Sequence, residues 1–150
     1  MSPGDVDSKV VAQCAFWILQ MMDSLKDLQL GEKAAFLPER HKIAAAESYL
    51  RLALEALFDI GRHILAKRFA YPATEYIEIA KGLSENKVLV EKEAELMRKM
   101  AGYRNQMVHF YHEITPEELH EICLYHLDEI KLLVERLVQW TKEHQDSAIN

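Results

Sequence analysis

The chain has 150 residues, 49% of them apolar, which is enough to bury a real core in one domain. Its 5 glycines and 4 prolines are too few for a fold of many short strands, and its Leu, Ala, Glu, Lys and Met favour helix. The formal charge of −6 argues against broad, non-specific nucleic-acid binding, which rests on neutralising many phosphates, but leaves room for a small cleft with a few local cations.

In chain order, the start "MSPGDVDSKV" lacks the charged-then-apolar pattern of a secretory signal. Asp5, Asp7 or Ser8 can cap a first helix whose apolar residues Val10, Cys14, Trp17, Met21, Leu25 and Leu28 recur at steps of three and four. Gly31 ends that helix or lies in the loop after it. Pro38 fits the first turn of a second helix, and Ile43, Leu50, Leu54, Leu57, Gly61 and Ile64 or Leu65 carry its stripe to about Arg68. At about 1.5 Å per residue this helix is roughly 45 Å long and should be the spine of the domain. Pro72 ends it, Thr74 opens a short third helix and Gly82 closes that one. A fourth helix starts near Val88, with Leu96, Met97, Met100, Tyr103, Met107 and Val108 on its apolar side.

The last helix begins sharply at Thr115-Pro116-Glu117-Glu118: a Thr cap, Pro at the first helical position, and Glu three residues after the cap. Leu119, Ile122, Cys123, Leu127, Ile130, Leu133, Leu137 and Trp140 form its buried face, and "HQDSAIN" reads as a frayed tail. With no strand pattern, repeat or linker, the expectation is one all-α domain over residues 1–150, an up-down bundle of about five helices. The long apolar stripes of the first two helices also suit a homodimer through helix faces. No apolar run approaches the roughly 20 residues that span a membrane, so a soluble, cytoplasmic protein is expected.

Cys14 and Cys123 sit among apolar residues with no CxxC pattern, so they read as small core residues. His120, Cys123 and His126 are spaced by three, which drifts about 60° per step and does not converge on a metal ion. No metal or cofactor is expected.

The segment "GYRNQMVHFYHEITPEE", residues 102–118, concentrates Arg104, Asn105, His109, Tyr111 and His112 beside a turn. In an uninterrupted helix Arg104 and His109 lie about 140° apart, and one small ligand cannot meet both within one subunit. On that reading they are helix decoration, with Arg and His favoured near a C-terminus by the helix dipole. The Thr115 cap, however, ends the preceding helix by about Glu113, so His109, Tyr111 and His112 fall in its last turn or just beyond. There the backbone can redirect them, and a twofold axis can bring two copies together. Arg offers a permanent forked cation for phosphate, and His transfers protons near neutral pH. That suffices for metal-independent RNA cleavage: a base takes the 2′-OH proton, an acid protonates the leaving 5′-oxygen, and a cation stabilises the phosphorane. DNA lacks the hydroxyl, so the chemistry selects RNA.

"MAGYRNQMVHFYHEI" resembles the signature of the HEPN superfamily, in its HepT-like branch: Arg, four residues, His, any residue, Tyr, matched by Arg104, His109 and Tyr111 without a gap. Asn105 matches the polar residue that commonly follows the arginine. A long second helix, a short third one after a proline and an amphipathic last helix extend the likeness over nearly the whole chain. The resemblance implies a toxin of a two-gene toxin–antitoxin system. It would be a ribonuclease whose Arg104 and His109 line a cleft at a homodimer interface. The implied partner is a minimal nucleotidyltransferase, MntA, which neutralises the toxin by transferring AMP to Tyr111. His112 has no family role; it tunes His109, contacts RNA or is a surface residue. Arg98 and Lys99 are either accessory phosphate contacts or solvated charges. Glu55 and Asp59, one turn apart on the spine, can approach the motif from the neighbouring helix, and the sequence selects neither. The competing reading is a non-catalytic helical module that binds a nucleotidyltransferase or a nucleotide.

Overall fold

The computed structural model describes residues 4–108 and 114–145. Among them there are seven helices and no strand: α1 (Ser8–Asp27), α2 (Lys33–Phe36), α3 (Arg40–Phe69), α4 (Tyr76–Glu85), α5 (Glu91–Val108), α6 (Pro116–Tyr125) and α7 (Leu127–Glu143). The expected all-α bundle is therefore present, with two differences in count. A single turn, α2, lies between the first two long helices. The expected last helix is divided at His126, whose non-helical backbone serves both as the C-cap of α6 and as the N-cap of α7.

The spine is α3, 30 residues long. Its middle is buried on nearly every side (Ala53, Leu54, Ala56, Leu57, Phe58, Ile60, Gly61), because α1, α4, α5, α6 and α7 all pack on it. Such a helix must be apolar around most of its circumference, and the run of Ala and Leu meets that need. It begins at Arg40 rather than in the turn that holds Pro38. Before α1, the chain is tied to α3 by two hydrogen bonds. Gly4 N–H donates to the Lys67 carbonyl (2.6 Å), and Asp7 N–H donates to Nε2 of His63 (2.9 Å). Asp7 also caps α1, its carboxylate accepting from Lys9 N–H at 2.9 Å.

The buried side of α1 differs from the expected stripe. Val11, Ile18, Met21, Met22 and Leu25 are buried, Cys14 is half-buried, and Trp17 is 43% exposed beside Phe16 and Leu19. Trp17 therefore leaves the intramolecular core, while Trp140 belongs to it. On α7 the expected face is buried throughout: Ile130, Leu133, Leu137 and Trp140. His144, expected in a frayed tail, stacks on Trp140 with ring centroids 4.2 Å apart; residues 146–150 lie outside the described part.

Two glycines set how closely α4 approaches the spine. A Cβ on Gly61 would lie 2.8 Å from Cγ2 of Ile79, and one on Gly82 would lie 2.8 Å from Tyr71 and 2.9 Å from Leu65. Gly82, expected to close the third helix, is instead a buried contact within it, and α4 runs on to Glu85. No helix among the described residues is long and apolar enough to cross a membrane.

Candidate active site

Arg104 lies on α5, four residues before the last described residue of that helix, and faces α3 and α4. Its Nη2 donates to Oε2 of Glu55 on α3 at 3.2 Å, and the guanidinium carbon sits 4.3 Å from the centre of the Tyr76 ring on α4. Tyr76 stacks on the fully buried Phe58, with centroids 4.5 Å apart and planes 16° from parallel. Of the two carboxylates on the spine, the structure thus selects Glu55. Asp59 pairs with Arg62 at 3.0 Å.

The α3 contribution follows from helix periodicity. Arg51, Glu55, Phe58 and Arg62 fall at i, i+4, i+7 and i+11, one stripe of the spine. Glu55 divides its two oxygens between two arginines, since Oε1 accepts from Arg51 Nη1 at 3.4 Å. Arg51 also contacts Glu47 at 3.7 Å. Arg62 lies further out, 5.8 Å from the Tyr76 ring. Burial pushes the Tyr76 phenol up from its usual pKa, against the pull of the Arg104 charge, so the ring beside the guanidinium is a neutral phenol. Nε of Arg104 is buried and has no hydrogen-bond partner among the described residues. Asn105 is half-buried next to it. His109, Tyr111 and His112 lie outside the described residues, as does the helix end expected near Glu113. The return of the chain is defined: Thr115 Oγ1 accepts from Glu118 N–H at 3.1 Å and Pro116 opens α6, the expected capping arrangement.

Arg98 and Lys99, read as either accessory phosphate contacts or solvated charges, do not join Arg104. Arg98 pairs with Glu91 one side round the helix, at 2.7 Å. Lys99 is five residues before Arg104, about 140° away, and faces α6 and α7. Its Nζ donates to Glu129 at 3.0 and 3.3 Å and lies 3.3 Å from His126 Nδ1, with Tyr103 at 5.9 Å. Burial works against the Lys99 charge, but the Glu129 hydrogen bond and the nearby Tyr103 and Glu129 outweigh it, so its pKa is raised and the ammonium is secured.

His120, Cys123 and His126 enter three different settings. His120 is buried, 2.7 Å from the Gly31 carbonyl and tilted against Phe36. Cys123 is in the core, where burial pushes its thiol up to about 12. His126 is 2.9 Å from Glu129. Cys14 is only half-buried; its pKa is raised, by burial and then by the Asp59 charge. It lines a groove of about 380 Å³ with Trp17 of α1 and Leu52, Glu55, Ala56 and Asp59 of α3. The groove therefore reaches the carboxylate that holds Arg104.

Sequence reasoning passed over Tyr76 and Arg51. Tyr76 is 28 positions from Arg104 and on another helix, so no local spacing could connect them. Arg51 was visible as a residue one turn before Glu55, but only the observed pairing gives it a place.

A family model described as ribonuclease HepT-like matches residues 18–137. The chain belongs to the HepT-like family. The matched span includes Arg104 together with Glu55 and Tyr76, so the cluster lies inside the family domain. Solved structures agree on the HepT-like fold. A chain from the tri-AMPylated Shewanella oneidensis HEPN toxin in complex with MNT antitoxin superposes with TM-score 0.77 at 18% identity, covering 85% of this chain and 96% of that one. A chain of a toxin–antitoxin solved with AMP-PNP gives 0.76 at 17% identity, covering 85% and 97%. One from a mutant MntA-HpeT toxin–antitoxin gives 0.75 at 18%, covering 86% and 97%. At these identities the likeness is one of fold. No curated protein matches the sequence.

Proposed function

We propose that this HepT-like chain is the toxin of a toxin–antitoxin pair and a metal-independent endoribonuclease that acts as a homodimer. Arg104 receives the scissile phosphate, His109 acts as general acid or base, and Asn105 orients. The 2′-oxygen attacks phosphorus, a base takes its proton, and the 5′-oxygen leaves with a proton from the acid, so no metal or added reactant is required. In the off state a partner nucleotidyltransferase of the MntA kind transfers AMP to Tyr111. A bulky anion there would compete with RNA for the Arg104 cation.

The observation that carries this reading is the placement of Arg104. Its guanidinium, on α5, is ordered by Glu55 and Tyr76, five residues before His109, within a family match that spans the segment. The groove at Trp17 and Cys14 supports the dimer, because apolar surface on α1 continues directly to Glu55. Purified protein should degrade RNA, and Arg104→Ala and His109→Ala should lose that activity. Equal behaviour of all three proteins would sink the ribonuclease claim. After co-expression with the partner, mass spectrometry should find AMP on Tyr111; suppressed toxicity with an unmodified Tyr111 would mean inhibition by binding alone.

A second reading is a non-catalytic module that binds a nucleotidyltransferase or a nucleotide. The observation in its favour is that Glu55 already occupies one edge of Arg104, in a chain of charge −6. RNA degradation that depends on His109 eliminates it.

A further inference from the structure

A guanidinium on a free side chain samples many orientations and binds a phosphate poorly; one that is held presents its donors in a fixed fork. Arg104 is held twice. Glu55 takes one N–H through Nη2 at 3.2 Å, and Tyr76 lies against the guanidinium at 4.3 Å. The aromatic face carries partial negative charge and attracts the cation without consuming any of its N–H donors. Tyr76 itself is fixed from below by Phe58, and α4 is seated by the close approaches at Gly61 and Gly82. Glu55 is shared with Arg51, so it makes a single contact with Arg104 rather than a forked pair. Among the described residues, nothing else engages the donors at Nη1.

We propose that Tyr76 is a positioning residue for the site: seated on Phe58, its ring holds the Arg104 guanidinium while Glu55 holds one edge, so that the Nη1 edge is presented to an RNA phosphate. This rests on the reading of Arg104 as the phosphate ligand. Tyr76 touches no reacting atom and acts only through Arg104. Its hydroxyl is not required, whereas its aromatic face is.

The Arg104 Nε–H signal in heteronuclear NMR, assigned by its loss in Arg104→Lys, tests the clamp without reference to activity. In the wild type it should be shifted upfield by the ring and exchange slowly with water, because Nε is buried. Tyr76→Phe should keep both properties. Tyr76→Leu, which still covers Phe58, should lose both; should it melt early, Tyr76→Met makes the same comparison. In RNA cleavage, Tyr76→Leu should lower kcat by about 10²-fold with a smaller change in KM, and Tyr76→Phe should restore it. An Arg104 signal that is the same in Tyr76→Leu and the wild type overturns the proposal. So does full cleavage by a folded Tyr76→Leu. Should the wild type cleave no RNA, the ribonuclease reading falls by itself, and the NMR comparison still decides whether Tyr76 positions Arg104.

Discussion

Two cations on α5, five residues apart, are each held by a carboxylate and an aromatic ring, yet they end in different states. Lys99 meets Glu129 through both carboxylate oxygens and has His126 and Tyr103 around it. A lysine has three donors converging on one point charge, and such a pocket uses it up. Arg104 meets Glu55 through one nitrogen and Tyr76 through the guanidinium face, and its five donors are spread around a plane. The first cluster ties α5 to α7. The second orders a cation whose Nη1 donors meet no partner among the described residues. Proximity to the motif therefore does not by itself leave a cation's donors open; the geometry of its counter-ion decides that.

The sharpest way to break this contrast is Arg104→Lys. If the planar fork matters, RNA cleavage should fall by about 10²- to 10³-fold although the charge is kept. A variant within a few-fold of the wild type would make Arg104 a simple point charge, like Lys99. Gly82→Val attacks the seat of Tyr76 from the core side. The side chain has no room beside Tyr71 and Leu65, so about 1–3 kcal/mol of stability should be lost in denaturant titration. Cleavage should fall further than the fraction unfolded explains.

Thr115→Ala removes the cap that starts α6 and should cost about 1 kcal/mol. Lys99→Met should cost about 0.2–1 kcal/mol, the range for a partly exposed ion pair. It should also leave the salt dependence of RNA binding unchanged. A drop of about one in that slope would instead make Lys99 a phosphate contact.

The smallest effect concerns pH. Burial, and then the Lys67 charge, lower the His63 pKa against the opposing pull of Asp7, and its neutral Nε2 accepts the Asp7 N–H. A lowered folded value costs nothing while both states are neutral, above about pH 6.5. Stability is lost as pH falls through that value toward the folded one, because only the unfolded state then gains the proton freely. Chemical denaturation of wild type and His63→Leu at a series of pH values should show a shallower loss of stability below about pH 6.5 in the variant than in the wild type.

Much of the fold was legible because the spacing of apolar residues reports helix directly. The spine, the α7 face and the Thr115-Pro116 start all follow from local pattern. On α1, Ile18 rather than Trp17 faces the core, because a one-residue rotation of the stripe changes which side faces in, and only packing fixes that rotation. Gly82 was misread because a helix-ending glycine and a glycine making room for a neighbour look alike in sequence. The candidate site was legible only along one helix. Arg104 stands out in the motif, but the residues that contact it come from α3 and α4, and the pairing with Glu55 rather than Asp59 required three helices to be placed together.

The two glycines under α4 bear on how relatives are read. They contribute no side chain, no charge and no letter of the motif. A relative that keeps the arginine, histidine and tyrosine but carries a branched residue at position 61 or 82 would pass every pattern search and still have an arginine without its seat. Inheritance of the motif and inheritance of the working site are therefore separable, and within this family silent inactivation can be sought at positions that have no chemistry of their own.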